Sequence, residues 1–325
     1  MINEKVDLLI KNGEILDDVE GTSERNINRK YSALDLTLKN ELANLDKIED
    51  AIKLIKGETA FYSEYRRKNL LNLAVNLSLE DDTYKALMEI KDIYTNLRGE
   101  FSASRYLMLA AECIYLARNF IDVEKVIKDT KVAYECMKKS HRFETKREDI
   151  LSAAVIAMTS LNVAETFQEI NECYEVLLEC EFPGSNNIEL LSNVLALINL
   201  PVDEKCATVR DLATILKENK VELKKSALPI LGVTAFVTDD YNKLSKEILD
   251  VAETLKENEG FKSATVSEKA RNMMALILLT KDYLQGIEKE VKRKLTKYDS
   301  DRTLDTIFEI ASDGRVIIGE MEVEV

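Results

Sequence analysis

Turn-forming residues are scarce: the 325-residue chain holds ten glycines and three prolines, far below the roughly 7% and 5% of average proteins. Sheet-rich folds use those residues at tight turns, whereas helix interiors avoid them. Tryptophan is absent and aromatics make up 6% of the chain. His141 is the single histidine; this excludes HExxH zinc sites and any mechanism that needs two imidazoles. Neither G-x-x-x-x-G-K-[ST] nor G-x-G-x-x-G occurs, so phosphate-cradling glycine loops are missing. No cofactor and no bound metal are expected.

Paired cysteines are lacking too. The five present (Cys113, Cys136, Cys173, Cys180 and Cys206) are never closer than seven residues. Without a CxxC there is neither a zinc knuckle nor a thioredoxin-like pair in the sequence. They read as small helix-core filler in a reducing cytosol. Long apolar runs are absent as well. Uncharged apolar stretches such as Ser226 to Thr238, about a dozen residues, fall short of the roughly 20 a membrane helix needs. The N-terminus meets charge after three residues, at Glu4, and shows no signal-peptide pattern. A cytoplasmic protein with no membrane association is expected. Basic residues are outnumbered, 45 Lys and Arg against 59 Asp and Glu, for a net charge of −14. That balance repels phosphate backbones, so nucleic acid is not an expected partner.

What is present is periodic. Tyr94, Tyr134 and Tyr174 fall 40 residues apart. A large apolar residue follows each amphipathic segment, at Phe61, Phe101, Phe143, Phe182, Val221 and Phe261. A short polar turn falls midway, at Asp82, Asp122, Asn162, Asp203, Asp240 and Asp282. Between the markers, runs that are apolar almost all round (LLNLAVNLSL from Leu70, LMLAAECIYLA from Leu107, LSAAVIAMTSL from Leu151, LLSNVLALINL from Leu190, MMALILL from Met273) alternate with amphipathic ones. In residues 122–139, for instance, Val123, Val126, Ile127, Tyr134 and Met137 form one stripe, with Glu124, Lys128, Lys131, Glu135 and Lys138 opposite. Capping boxes are readable at Thr145/Glu148 and Thr265/Glu268, with a weaker relative at Asn186/Glu189. Pro229 and Gly232 predict a late start or a kink in one apolar helix.

The fold class these features imply is all-α: six to seven antiparallel helix pairs with a period of about 40 residues, an α-solenoid-like array in the HEAT/armadillo range of repeat lengths. Residues 1–21 read as an N-terminal capping helix. The repeat domain then spans 22–300, in units near 22–60, 61–100, 101–142, 143–181, 182–220, 221–260 and 261–300. The first unit is degenerate, with Leu34, Leu38, Leu42 and Leu45 on one stripe. In the 301–325 tail, residues 320–325 alternate acidic and apolar, which is strand period. Thr306–Ala311 fits either the first strand of a hairpin or, through Leu304, Ile307, Phe308 and Ala311, a helix.

Two basic patches stand out. Residues 138–147 contain Lys138, Lys139, Arg142, Lys146 and Arg147 with one acid, beside His141. They lie where one helix ends and a capped one begins. The patch reads either as an anion or partner site or as cations complementing a helix C-terminus. Lys289 to Lys297 is a second run, expected as the exposed face of one helix. Asp299, Asp301 and Thr303 spell DxDxT, but the segment before them is KRKLTKY rather than an apolar strand, so they read as a linker and cap.

The runs YECMKKSHRFETKREDILSAAVIA (134–157), GSNNIELLSNVLAL (184–197) and ALPILGV (227–233) resemble an uncharacterised bacterial family, domain of unknown function four thousand and three. Its marks here are MKK-x-H-x-F at 137–143, Thr145 with Glu148 and Asp149, and the LLSNVLAL run. The resemblance implies no activity, cofactor or catalytic residue. The expected role is a non-catalytic module for a protein or peptide partner, as monomer or homodimer. The alternative is an enzyme or small-molecule-binding protein whose site is the 138–149 corner, with His141 beside Glu148 or Asp149 as acid/base.

Overall fold

The runs that are apolar on every side form helices with almost no exposed face. The computed structural model describes residues 2–22, 25–139, 149–159, 162–179, 188–297 and 304–312. Among them are sixteen α-helices and no strand. The first eight are α1 (Ile2–Asp17), α2 (Asn26–Leu38), α3 (Leu45–Glu58), α4 (Leu70–Leu77), α5 (Thr83–Arg98), α6 (Arg105–Ala117), α7 (Val123–Lys139) and α8 (Asp149–Met158). The remainder are α9 (Val163–Glu179), α10 (Ile188–Leu195), α11 (Val202–Glu218), α12 (Leu228–Thr234), α13 (Tyr241–Lys256), α14 (Glu268–Gly286), α15 (Lys289–Lys294) and α16 (Leu304–Ser312).

Every residue of α4 and of α12 is buried, and so is Leu107–Tyr115 of α6. The helices between them bury one stripe only; in α5 it is Ala86, Leu87, Ile90, Ile93 and Leu97, the i, i+3/i+4 spacing of a single helical face. Burying each such Leu or Ile contributes about 1.5–3 kcal/mol. Five of the amphipathic helices start on a polar cap, whereas α11 starts on Pro201 with Asp203 already inside its first turn. Asn44 accepts from Lys47 N at 3.0 Å, Asp82 from Lys85 N at 2.9 Å, Asp122 from Lys125 N at 3.1 Å, Asn162 from Ala164 N at 3.0 Å and Asp240 from Lys243 N at 2.9 Å. Each satisfies an orphan N–H of the first turn.

The chain divides into two compact units, Lys11–Ala164 and Met1–Ile10 with Glu165–Val325. In the 11–164 unit α3, α5 and α7 pack on α4, α6 and α8 respectively, α2 packs on α4, and α6 on α8. Aromatic pairs fasten two of these junctions: Tyr65 meets Tyr94 of α5 edge-on at 5.4 Å, and Phe101 meets Tyr134 of α7 at 5.3 Å. Tyr94 and Tyr134 thus do the same job one period apart. In the 165–325 unit α12 contacts α10, α14 and α16, while α13 packs on α11 and α14.

Several expectations are corrected. Phe61 is 72% exposed, and Tyr65 is the residue that turns inward in its place, because the longer loop before α4 carries the chain further before the next helix begins. Leu42 lies in the loop after α2 and is exposed, so it leaves the Leu34 stripe. Asp282 marks no turn: α14 runs through it to Gly286, and its carboxylate pairs with Lys5 at 3.1 Å. The cap of α14 is Ser267, which accepts from Ala270 N at 3.3 Å, rather than Thr265. Thr306–Ala311 is helical within α16, where Ile307, Phe308 and Ala311 are buried, so the hairpin is not formed by these residues. The alternating segment 315–325 lies outside the described residues, as do the Thr145/Glu148 box, Asn186, and the DxDxT stretch except for its flanks.

Pro229 sits in the first turn of α12, which therefore starts late, after a short 3₁₀ turn at Lys225–Ala227. Three residues on, a Cβ at Gly232 would meet Leu191 Cδ1 and Val194 Cγ1, both at 2.9 Å, so α10 and α12 touch where only glycine fits. By contrast Lys220 adopts φ 61° just past α11, a left-handed conformation that favours glycine. It allows Val221 N–H to close back on Leu216 O at 2.9 Å, which buries Val221. Chemical denaturation of two variants tests this. Gly232→Ala is expected to lose about 1–2 kcal/mol of stability, overpacking outweighing the gain in helix propensity. Lys220→Gly is expected to gain roughly 0.5–1 kcal/mol.

Candidate functional site

The basic corner singled out by the sequence is only partly described. Lys138 and Lys139 occupy the last turn of α7 and are exposed. Lys138 Nζ pairs with Glu135 Oε1 at 3.2 Å and lies 4.6 Å from the centre of the Tyr134 ring, so its charge is engaged within its own helix. His141, Arg142, Lys146 and Arg147 lie outside the described residues, as does Glu148, while Asp149 opens α8. The second basic run is not one helix: α15 ends at Lys294, and no residue of it is buried.

Lys297, at the end of that run, is drawn inward. Thr296 forms an isolated antiparallel bridge with Ile198, Asn199 N–H donates to Leu295 O at 3.0 Å, and Lys297 N–H donates to Leu197 O at 3.2 Å. This seam carries the Lys297 ammonium to Glu169 of α9, whose other carboxylate oxygen accepts from Lys205 of α11. Lys205 is fully buried and also donates to Ile198 O at 3.2 Å. Burial pulls the Lys205 ammonium below the ordinary lysine value, and burial likewise lowers Lys297. One carboxylate therefore serves two ammonium groups.

Beside this cluster two thiols meet. Cys206 Sγ donates to the backbone oxygen of Cys173 at 3.8 Å. Both are buried. The Cys173 side chain draws the Cys206 thiol down, opposed by burial and helped by the Lys205 charge. The neighbouring Cys206 side chain, then burial, pushes the Cys173 thiol up. Sequence spacing gave no sign of this pair, because the partners are 33 residues apart on separate helices; the only signal was that each falls on a buried stripe, with Ile170 and Leu177 in α9 and with Val209 and Leu212 in α11.

A second polar group lies in the 11–164 unit. Lys39 Nζ donates to Asn76 Oδ1 at 2.6 Å and to Asp35 Oδ2 at 3.3 Å, and Asn76 Nδ2 donates to Glu112 Oε1 at 2.8 Å. Glu112 is fully buried in α6. Ser32 Oγ donates to Asn72 Oδ1 at 3.4 Å, one turn away on α4. Sequence reasoning passed over these residues, although Asn72 and Asn76 are i, i+4 polar interruptions in the otherwise apolar LLNLAVNL. Among the described residues no group of three or more His, Cys, Asp or Glu is placed to hold a metal ion. Nor is any helix among them long and apolar enough to cross a membrane.

A family model described as "Protein of unknown function (DUF4003)" matches residues 17–307. The chain belongs to this family. Within the DUF4003 span lie α2 to α15, both polar clusters and the 138–149 corner. No curated protein matches the chain, and no solved structure does. The family description assigns no residue a role, so the site rests on geometry alone.

Urea denaturation separates the two ends of the Lys205–Glu169 contact. Glu169→Gln leaves two ammonium groups without a carboxylate and is expected to cost about 3–5 kcal/mol. Lys205→Met removes the buried charge, keeps the volume and leaves Glu169 paired with Lys297; it is expected to cost less than half as much.

Proposed function

We propose that this DUF4003 protein is a non-catalytic, cytoplasmic module of stacked helix pairs, an α-solenoid-like array spanning 22–300, that holds a protein or peptide partner. The strongest support is the recurrence of one construction. Asn44, Asp82, Asp122 and Asn162 cap successive amphipathic helices at steps of 38, 40 and 40. Tyr65–Tyr94 and Phe101–Tyr134 fasten successive junctions. Stacked helix pairs of this kind build extended surfaces whose usual task is to hold a partner chain.

The α3–α4 loop supplies an exposed recognition element in this reading. Phe61 and Tyr62 are 72% and 78% exposed and stand edge-to-face at 5.0 Å. The loop is held at its base by Arg66, whose Nε donates to Thr59 Oγ1 at 3.1 Å while its Nη2 donates to both the Lys56 and Thr59 carbonyls at the end of α3. Rigid exposed aromatics lose little entropy on binding and are enriched where proteins meet. The loop joins an amphipathic helix to the next buried one, as the 138–149 corner does. The net charge of −14 favours a basic partner.

Photo-crosslinking in cells tests the reading, with the crosslinking residue at position 62 and a control at Lys53 on α3. A discrete protein adduct at position 62, absent at 53 and lost when Phe61 is replaced by Ser, is the expected result. Equal labelling at both positions would sink it.

A further inference from the structure

Three buried helices of the 11–164 unit, α2, α4 and α6, each lead through a short turn into an amphipathic helix, and each turn holds an apolar side chain in water. Leu42 after α2 is 54% exposed, Leu79 after α4 38% and Phe120 after α6 76%, with Tyr84 in the first turn of α5 at 53%. Side chains join the three turns into one edge. Lys39, just past α2, reaches Asn76 in the last turn of α4 at 2.6 Å, and Arg118, after α6, reaches Glu80, after α4, at 3.1 Å. Hydrogen bonds fix the backbone beneath each apolar residue. Asn12, fully buried, donates to Glu41 O at 3.0 Å and accepts from Ala43 N–H at 2.7 Å, so the chain is bonded on both sides of Leu42. Leu79 N–H donates to Asn76 O at 3.2 Å, and Phe120 N–H to Ala117 O at 2.8 Å. A turn that merely caps a helix has no use for a leucine or phenylalanine held out in solvent.

The outward charge along this edge is acidic. Glu41 and Asp81 stand exposed in the same turns as Leu42 and Leu79, Asp82 and Asp122 cap α5 and α7, and Glu124 is exposed in the first turn of α7. The basic side chains nearby are engaged with the protein itself. Lys39 holds Asp35 and Asn76, while Lys85 and Lys125 turn along their helices to Glu89 and Asp129. Arg118 lies over the Tyr115 ring at 3.8 Å and pairs with Glu80 and Glu89. We infer that this edge is a docking surface for a basic amphipathic helix of another protein. Neighbouring layers of packed helices lie about 8–10 Å apart, and residues seven apart on a helix are separated by about 10.5 Å. One apolar residue in every seven can therefore meet Leu42, Leu79 and Phe120 in turn, while Lys or Arg beside it faces Glu41, Asp81 and Asp122. The surface builds on the reading of the chain as a partner-binding module, but it lies at the other end of α4 from the Phe61–Tyr62 loop and does not use it.

Fluorescence anisotropy tests this with the full-length protein and a labelled synthetic helix of about 18 residues, leucine at every seventh position and lysine flanking the leucine stripe. An otherwise identical peptide with glutamate in place of lysine is the control. The basic peptide is expected to bind roughly tenfold or more tightly than the acidic one, and more weakly as salt is raised. Phe120→Ser and Asp81→Lys should each weaken it by roughly fivefold or more, with circular dichroism unchanged because both side chains face solvent. Phe61→Ser should leave it unchanged, so failure of the crosslink at position 62 and failure of this peptide are separate results. Equal binding of the two peptides, binding of neither, or binding indifferent to Phe120→Ser overturns the inference. So does self-association in sedimentation that Phe120→Ser abolishes, since a second copy of the chain would then be the occupant.

Discussion

A helix buried on all sides cannot stand alone, and that constraint governs this chain. All eight residues of α4 and all seven of α12 are out of water, and short helices of this length are far too brief to persist by propensity. Their stability comes from the helices packed around them, which in turn bury their single apolar stripes on the same surface. Neighbours therefore form together or not at all, and local order becomes a collective property of consecutive helix pairs.

Polar groups inside such a structure need partners at fixed places, and the chain meets this with long basic side chains that reach helix ends and seams. Arg29 donates to the Val19 carbonyl at 3.1 Å and to the last carbonyls of α1. Lys30, fully buried, joins Asp17 at 2.6 Å and Gly13 O at 2.9 Å. Lys205 does the corresponding work in the other unit. In each case the charge is expensive to bury and more expensive to leave unmatched, so it fixes which helix lies beside which while adding modest net stability.

The helical class and the positions of the apolar and amphipathic runs were legible because Leu, Ile and Ala recur with period 3.6 and few glycines or prolines interrupt them. Loop markers were less legible. Phe61 and Tyr65 are both aromatic and four residues apart, and only the length of the loop decides which one turns toward Tyr94. The helical choice over Thr306–Ala311 rested on the spacing of Ile307, Phe308 and Ala311, which the alternation further along obscured. The thiol pair and the Lys205–Glu169–Lys297 cluster were not legible at all. They depend on the relative rotation of α9 and α11 and on a seam between residues near 198 and 296, neither of which leaves a local pattern. A lysine in the first turn of an acidic helix ordinarily faces water, and nothing nearby in sequence marks Lys205 as an exception.

The N-terminal helix also bears on how the chain is made. Its first residues belong to the 165–325 unit, where Lys5 donates to Asp282 and, at 2.8 Å, to Gln285. Residues 11–164 can complete their unit while translation is still under way, but the segment ahead of Lys11 finds its partners only once α14, far along the chain, has been synthesised.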